Sequence, residues 1–234
     1  MKHQYFGDVN DYVKYGLLRC FADAGFCIGV CWMLTENDGL SDGRKTMYLC
    51  QPEKWKPHDP HLFETLSKTL ARPDGRHLDH IEANDHIPRA RFFGEVVKDC
   101  EPNRSKWYKR ALAKLNGSDL VFFDPDNGIE VASKPIGRKN SSKYIYWKEI
   151  KEAWNTGTSL LIFQHFPRRK RDEYIPTIVQ ELKKKTKGSV VVPLRSSNVL
   201  FLLAHRPRQR DRVDVALGML DRRWYRRVWN HEAT

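Results

Sequence analysis

The sequence predicts an α/β protein with a mostly parallel sheet, and three observations support this class. Apolar runs alternate with amphipathic segments that are long enough to be helices, which is typical of parallel sheets covered by helices on both faces. Acidic and turn-forming residues directly follow the most apolar run. Near the C-terminus, the runs 190–194 and 199–203 are separated by only four residues. So short a connection joins antiparallel strands, so the sheet is expected to end in an antiparallel hairpin.

The elements of the N-terminal half follow from hydrophobic periodicity and turn residues. Helices, with apolar residues on one face, are predicted over 10–24, 61–70, 88–99 and 104–115. Strands are predicted for the apolar runs 26–34, 47–49, 80–83 and 120–123. The run 26–34 is followed by a loop rich in turn residues, so we expect the first strand to end there.

The C-terminal half continues the alternation. After a long loop over 131–143, the predicted elements are a helix over 147–154, a strand over 159–163, a helix over 171–185, the hairpin and a last helix over 211–229. No repeat or low-complexity linker interrupts the chain. We therefore expect a single α/β domain over 1–234, with a basic C-terminal helical extension from about 207 to 234.

The charge of the chain is strongly basic and unevenly distributed. The 234 residues include 41 Lys and Arg against 29 Asp and Glu, a formal net charge of +12. The last 70 residues hold 17 basic and 7 acidic side chains, so they carry +10 of that excess. Such asymmetry favours a polyanionic partner, and nucleic acid is the commonest one. The alternative is a basic protein without such a partner.

Cysteine spacing and hydropathy argue against a disulfide-rich, zinc-binding, secreted or membrane-spanning protein. The chain has five cysteines without paired C-x-x-C spacing, which predicts free thiols rather than a zinc site or a disulfide framework. The N-terminal residues are charged and contain glycine, unlike a signal peptide. No apolar run approaches the roughly 20 residues that span a bilayer. The expectation is a cytoplasmic protein without a membrane partner.

The segment 120–130 carries the strongest functional signal. Its apolar run leads directly into Asp124, Asp126 and Asn127. Ligands of open α/β sheets bind outside the carboxyl ends of strands, and a carboxylate is costly to desolvate there without a partner. We therefore predict a functional site at this turn. The alternative is an acidic turn that only caps the following helix.

Two motifs and the C-terminal arrangement resemble a known family. The block 6–15, Phe-Gly-Asp-Val-Asn-Asp-Tyr-Val-Lys-Tyr, is similar to the N-terminal His-Ala-Gly-Asn-His-Ala-Asp-x-x-Lys-His of the bacterial adenine-N6 methyltransferases that act on large-subunit ribosomal RNA. The tetrad 124–127, Asp-Pro-Asp-Asn, stands in place of the Asp-Pro-Pro-Tyr of amino methyltransferases. The ending is similar as well: a strand, a basic helix, and a hairpin with a Ser-rich turn.

This resemblance implies the Rossmann-like sheet of class I methyltransferases and S-adenosylmethionine as the cofactor. The implied reaction is methyl transfer to a base amine of RNA or DNA, with Asp124 accepting a hydrogen bond from that amine. The residues implied to be catalytic are Lys14, Asp124, Asp126 and Asn127. The residues implied to border the cofactor are Gly7, Asp8, Asp11, Glu36 and Asp38.

The chain departs from this family at two places. The first strand is followed by Thr-Glu-Asn-Asp-Gly at 35–39, which is not the family's glycine-rich loop. The tetrad has also lost the aromatic residue that stacks on the target base. Tyr144, Tyr146 and Trp147 are the sequence candidates for that stacking.

The N-terminal residues also have a purely structural interpretation. Asp11 and Lys14 are spaced as a solvent-facing i, i+3 ion pair. Glu36 and Asp38 are common turn residues, and ordinary turn chemistry accounts for both. These alternatives remain open on the sequence alone.

Two other functions use the same segments. Asp124, Asp126 and Glu130 could hold Mg²⁺ or Mn²⁺ beside a phosphodiester, with Lys134 or His165 nearby. That arrangement would define a metal-dependent nuclease. Alternatively, a non-catalytic protein on the same fold could bind nucleic acid through its C-terminal basic surface.

Basic side chains in two segments are the candidate nucleic-acid contacts. They are His165, Arg168, Arg169 and Arg171 after the strand at 159–163, and Arg222 and Arg226 in the last helix. The second segment interleaves arginines with aromatic residues, as stacking platforms for nucleic acid do. Its alternative is a terminal helix that docks Trp224 and Val228 on the core.

Overall fold

A computed structural model describes residues 1–39 and 43–231. The strands in this part of the chain are β1 (Ile28–Cys31), β2 (Ala90–Phe93), β3 (Leu120–Phe123), β4 (Gly128–Ile129), β5 (Tyr144–Ile145), β6 (Ser159–His165), β7 (Val190–Arg195), β8 (Val199–His205) and β9 (Trp229–Asn230). Seven of them form one sheet in the order β2-β1-β3-β6-β8-β7-β9, while β4 and β5 pair separately.

The sheet changes from parallel to antiparallel across its width. Strands β2, β1, β3 and β6 are parallel neighbours. Strand β8 runs antiparallel to both β6 and β7, and β9 is antiparallel to β7. The parallel centre and the C-terminal hairpin confirm the predicted α/β class. Because β7 runs in the same direction as β6, their carboxyl ends lie at the same edge of the sheet.

Helices cover both faces of this sheet. They are α1 (Val9–Asp23), α2 (Pro52–Trp55), α3 (Pro60–Leu70), α4 (Asp79–Glu82), α5 (Glu101–Lys114), α6 (Trp147–Asn155), α7 (Arg171–Lys185) and α8 (Arg210–Trp224). Side chains of a strand alternate between the two faces. In β3, Leu120 and Phe122 pack in the core with α1, α3 and α8, and Val121 and Phe123 pack in the core with α5, α6 and α7.

Three predicted elements are wrong. The run 47–49 is part of a 3₁₀ helix, Met47–Cys50, and the run 80–83 overlaps α4 instead of forming a strand. The predicted helix over 88–99 is strand β2, which pairs with β1 along its whole length. Phe92 and Phe93 point to opposite faces of the sheet, and each packs with a different core. A strand places consecutive side chains on opposite faces, so it allows both phenylalanines to pack against a core at this edge of the sheet.

The C-terminal helix ends earlier than the predicted residue 229. Helix α8 stops at Trp224, and Arg226 has a left-handed φ of 62°. The chain then reverses and forms β9 beside β7. Trp224 is fully buried against α1, where a Cβ at Gly16 would lie 1.8 Å from the indole ring.

Within residues 1–39 and 43–231, none of the helices combines the length and the apolar character needed to cross a bilayer.

Candidate functional site

A pocket of about 350 Å³ opens at the carboxyl ends of β3 and β6. The turn after β3 contributes Asp124, Asp126 and Asn127, and helix α1 contributes further polar residues from its first turns. The charged side chains that line the pocket are Asp8, Asp11, Lys14, Lys45, Asp124 and Asp126. The structure therefore brings the N-terminal motif and the Asp-Pro-Asp-Asn motif to one place, although 110 positions separate Lys14 from Asp124.

The N-terminus of α1 is held at the pocket by its own motif. Gly7 has a φ of +78°, a left-handed conformation that favours glycine. Asp8 is the N-cap, and its carboxylate accepts hydrogen bonds from the amides of Asn10 (2.8 Å) and Asp11 (3.0 Å). The amide of Gly7 in turn donates to Asp11 (3.1 Å). Gly7 thus acts on the site through Asp11 and does not line the pocket itself.

Lys14 is buried between two carboxylates. Its Nζ lies 2.8 Å from Oδ1 of Asp11 and 2.7 Å from Oδ2 of Asp124, and all three side chains are nearly inaccessible to solvent. The same Nζ lies 5.0 Å above the ring of Phe163. Burial alone lowers the pKa of Lys14, but the charges of Asp11 and Asp124 outweigh it and raise that pKa. The ammonium form is therefore fixed, and the solvent-facing ion pair is excluded.

The two oxygens of Asp124 differ in their surroundings. Oδ2 is bound by Lys14, whereas Oδ1 accepts no hydrogen bond from any described residue. Asp124 lines the pocket. Oδ1 of Asp124 is thus available to accept a hydrogen bond beside the buried ammonium group of Lys14.

Asp126 is hydrogen-bonded to the loop that follows β1. Its Oδ2 accepts a hydrogen bond from the hydroxyl of Thr35 at 2.8 Å, and Oδ1 contacts the amino group of Met1. The same amino group lies 3.1 Å from the carbonyl oxygen of Asp124. Burial raises the pKa of Asp126, but the amino group and the Thr35 hydroxyl more than offset it, and the net shift is downward. Asp126 is therefore an anion, and both of its carboxylate oxygens contact groups of the protein itself.

Asp8 and His165 titrate outside their ordinary ranges. Burial, reinforced by the charge of Asp11, raises the pKa of Asp8 to about 7. The ring of His165 reaches the mouth of the pocket, where desolvation and then the ammonium of Lys14 lower its pKa to about 4. At neutral pH the site therefore contains a neutral imidazole and a carboxyl group near its titration point.

A second pocket, of about 380 Å³, adjoins the first. It is lined by Thr35, Glu36 and Asp38 from the loop after β1 and by residues that follow β2. The hydrogen bond from Thr35 to Asp126 connects the two pockets, because Thr35 lines the second and Asp126 the first. Glu36 pairs with Lys98 at the surface (2.8 Å), and Asp38 pairs with Lys2.

The residues of the alternative metal site are not brought together. Glu130 does not line the pocket, and its Oε1 accepts a hydrogen bond from the amide of Trp147 at the start of α6 (2.8 Å). Among residues 1–39 and 43–231, no group of three or more His, Cys, Asp or Glu side chains is placed to hold a metal ion. Glu130 is therefore separated from Asp124 and Asp126, and its carboxylate binds the first amide of α6.

The three predicted stacking residues also lie elsewhere. Tyr146 is buried, donates its hydroxyl hydrogen to Lys134 O (2.6 Å) and packs against Arg104. Tyr144 lies in β5, and Trp147 packs on the core at the start of α6. The aromatic residues that line the pocket are Tyr5 and Phe163. Phe163 could have been found from the alternation of β6, which places it on the same face as His165.

The predicted nucleic-acid contacts fall into two groups. His165 lines the pocket, Arg168 and Arg169 lie in the loop after it, and Arg171 is the first residue of α7. Arg222 and Arg226 are exposed at the end of α8 and line no part of this pocket. In this second segment Trp224, at the end of α8, and Val228, beyond it, are both buried in the core.

The comparisons with known proteins do not assign the site to a family. The chain matches no family model, no curated protein and no solved structure. The geometry of the site is therefore the basis for a function.

Proposed function

We propose that this protein transfers a methyl group from S-adenosylmethionine to an amine of an RNA or DNA base. The observation that carries the proposal is the pair of adjoining pockets at one edge of the sheet. One holds an acidic motif beside a fixed ammonium group, and the other holds two carboxylates in the loop after β1. Group transfer between two bound molecules requires such adjoining sites.

The arrangement of strands supports this proposal. The chain has a parallel centre, β2-β1-β3-β6, and a C-terminal hairpin whose second strand inserts antiparallel beside β6. This order is compatible with the Rossmann-like sheet that we propose, the layout of the class I methyltransferases to which the two motifs are similar. Fold similarity alone does not define a reaction, so the residues of the two pockets must account for the chemistry.

The first pocket suits a base that carries an amine. Oδ1 of Asp124 is available to accept a hydrogen bond from an exocyclic amine, and Lys14 holds the carboxylate in place through Oδ2. The amide of Asn127 lines the same pocket and offers both a donor and an acceptor. Phe163 and Tyr5 supply aromatic surface for the ring. These residues bind and orient the amine rather than react with it.

The second pocket suits the nucleoside part of the cofactor. Carboxylates are acceptors for ribose hydroxyls, and Glu36 and Asp38 both line this pocket. The pair between Glu36 and Lys98 is exposed, so its contribution to stability is small and a ribose hydroxyl can replace Lys98. When bound, S-adenosylmethionine supplies an electrophilic methyl group. Asp126 and Thr35 lie between the pockets, where they can position the two molecules relative to each other.

Calorimetry with S-adenosylmethionine tests the cofactor part of the proposal. We expect binding by the wild type and at least a tenfold loss of affinity in Glu36→Gln, because one charge-assisted hydrogen bond contributes roughly 1.5–3 kcal/mol. Glu101→Gln is the matched control, since Glu101 also forms an exposed pair with a lysine, Lys148, on α5 and α6. Absence of binding at millimolar cofactor would end the proposal.

Methyl transfer to single-stranded RNA and DNA oligonucleotides, followed with a labelled methyl group, tests the reaction itself. Asp124→Asn keeps the shape of the side chain but weakens the orientation of the amine, so we expect transfer to fall by at least a hundredfold. If the wild type binds oligonucleotides but neither binds cofactor nor transfers methyl groups, the protein is a non-catalytic nucleic-acid-binding protein on this fold.

A further inference from the structure

A row of stacked cationic and aromatic side chains begins next to the first pocket. The Cζ of Arg171 lies 4.6 Å from the ring centroid of Phe166, and the Cζ of Arg195 lies 5.8 Å from the same centroid. Arg195 also lies 5.2 Å from the ring of Trp229. Phe166 directly follows His165, which lines the pocket. The row therefore lies at the same carboxyl edge of the sheet as the pocket, on the face that α7 covers.

The two guanidinium groups have no carboxylate partner within the described part of the chain. Neither Arg171 nor Arg195 forms an ion pair there, and the charge of Asp172 is the acidic one that acts on Arg195. Nη1 of Arg195 lies 3.4 Å from Nδ1 of His231, while its buried Nε has no hydrogen-bond partner. The two like charges repel each other and one buried donor is unpaired, so an anion bound between the arginines would offset the repulsion and accept that hydrogen bond.

The position of this row relative to the pocket is fixed by the register of the sheet. Leu200 in β8 pairs with Gln164 in β6 and with Arg195 in β7. With a spacing of about 4.8 Å between strands, the Cα of Arg195 lies about 10 Å from that of Gln164. This separation is comparable to the reach of one or two nucleotides from a base held in the pocket.

We propose that Arg171 and Arg195, stacked on Phe166, bind a phosphodiester group of the single strand whose base enters the first pocket. This inference rests on the proposed function, because it names the substrate of that same site. Arginine is suited to the role, since its planar guanidinium stacks on an aromatic ring and still donates several hydrogen bonds to phosphate. A single strand fits better than a duplex because the base must be free to enter the pocket.

The test measures the affinity of the wild type and variants for labelled single-stranded RNA and DNA oligonucleotides, without cofactor, over a range of salt concentrations. The variants are Arg171→Gln, Arg195→Gln, the double variant and Arg195→Lys. Lys109→Gln is the control, because Lys109 is exposed on α5 and forms no ion pair with a described residue. Thermal melting of each variant establishes that it is folded.

We expect the double variant to lose at least tenfold in affinity at low salt. The slope of log affinity against log salt should fall by about 0.7, since the two arginines share one phosphate and each phosphate neutralised on a single strand contributes about 0.7. Arg195→Lys should keep the slope of the wild type but bind more weakly, because it keeps the charge and loses the stacked plane. An affinity and a slope equal to those of Lys109→Gln in a folded double variant would overturn the proposal.

Inorganic phosphate is the second probe. If millimolar phosphate competes with the oligonucleotide in the wild type and not in the double variant, a phosphate site at these arginines is supported. If phosphate competes equally in the wild type and in the double variant, it binds elsewhere on the protein, and the proposal is contradicted. Because none of these measurements uses S-adenosylmethionine, failure of the arginine site and failure of methyl transfer are distinguishable.

Discussion

Lys14 and Asp124 form a buried ion pair across 110 positions of the chain, with Nζ 2.7 Å from Oδ2. The pair joins the first helix to the turn after the central strand β3. Asp11 is the second carboxylate on the same ammonium group, and it also accepts hydrogen bonds from Gly7 and Tyr15. One lysine therefore neutralises two carboxylates that have little access to water.

Replacement of Lys14 by methionine should destabilise the protein strongly. It leaves Asp11 and Asp124 buried without their cation, and breaking a buried pair typically costs about 3–5 kcal/mol. Urea unfolding measures this loss. The control is Lys148→Met, which removes an exposed pair with Glu101 and should cost less than about 1 kcal/mol. Equal losses in the two variants would mean that Lys14 is not the counter-ion of a buried site.

Gly16 is expected to be essential for the docking of helix α8. A Cβ at this position would lie 1.8 Å from the indole of Trp224, so Gly16→Ala forces the two helices apart and should cost about 2–3 kcal/mol. Gly218→Ala is the matched control, because its Cβ would meet nothing closer than 3.8 Å. In a helix interior, that change should stabilise the protein by roughly 0.5–1 kcal/mol. Thermal unfolding of both variants distinguishes crowding at Trp224 from a general effect of glycine replacement.

The sequence predicted the location of the site better than its contacts. Apolar runs that end in acidic turns are local features, so the position of Asp124 at the carboxyl edge of the sheet could be predicted. The N-terminal motif was joined to that edge only through a family resemblance. The hydrogen bond between Thr35 and Asp126 links residues 91 positions apart, and no local pattern indicates it.

The error at β2 has a similar cause. Phe92, Phe93, Val96 and Val97 are spaced as on one face of a helix, yet this segment forms a strand beside β1. The edge of β1 offers backbone hydrogen bonds to a neighbouring strand, and these cannot be predicted from the local sequence. Pairing with β1 therefore overrides the helical periodicity of this segment. Arg104 is a comparable case, since it resembles a surface residue of α5 and is in fact buried against Glu149.

Arg104→Lys should destabilise the protein even though the variant keeps the positive charge. Arg104 donates to both oxygens of Glu149, at 2.7 and 2.9 Å, and to the carbonyl oxygens of Ser141 and Tyr144. A lysine cannot reproduce this planar set of donors, so we expect a loss of about 2–4 kcal/mol in urea unfolding. Arg110→Lys, at an exposed pair with Glu95, is the control and should change stability by less than about 1 kcal/mol.

Asp8→Asn should stabilise the protein in a pH-dependent manner. Burial and the charge of Asp11 raise the pKa of Asp8 from 3.8 to about 7, so the native state binds this proton more tightly than the unfolded chain does. The wild type therefore loses stability as the pH rises from about 4 to about 7, where the native carboxyl group ionises. Asparagine carries no charge and caps a helix about as well as aspartate.

The gain in Asp8→Asn should therefore be largest above about pH 7, at roughly 2–4 kcal/mol, and should vanish towards about pH 4. Urea unfolding between about pH 4 and pH 8 measures it, with the exposed Asp74→Asn as a control that should show no such dependence. A gain that stays the same at both ends of this range would show that the native carboxyl group of Asp8 has an ordinary pKa. The pocket would then lack a carboxyl group that titrates near neutral pH.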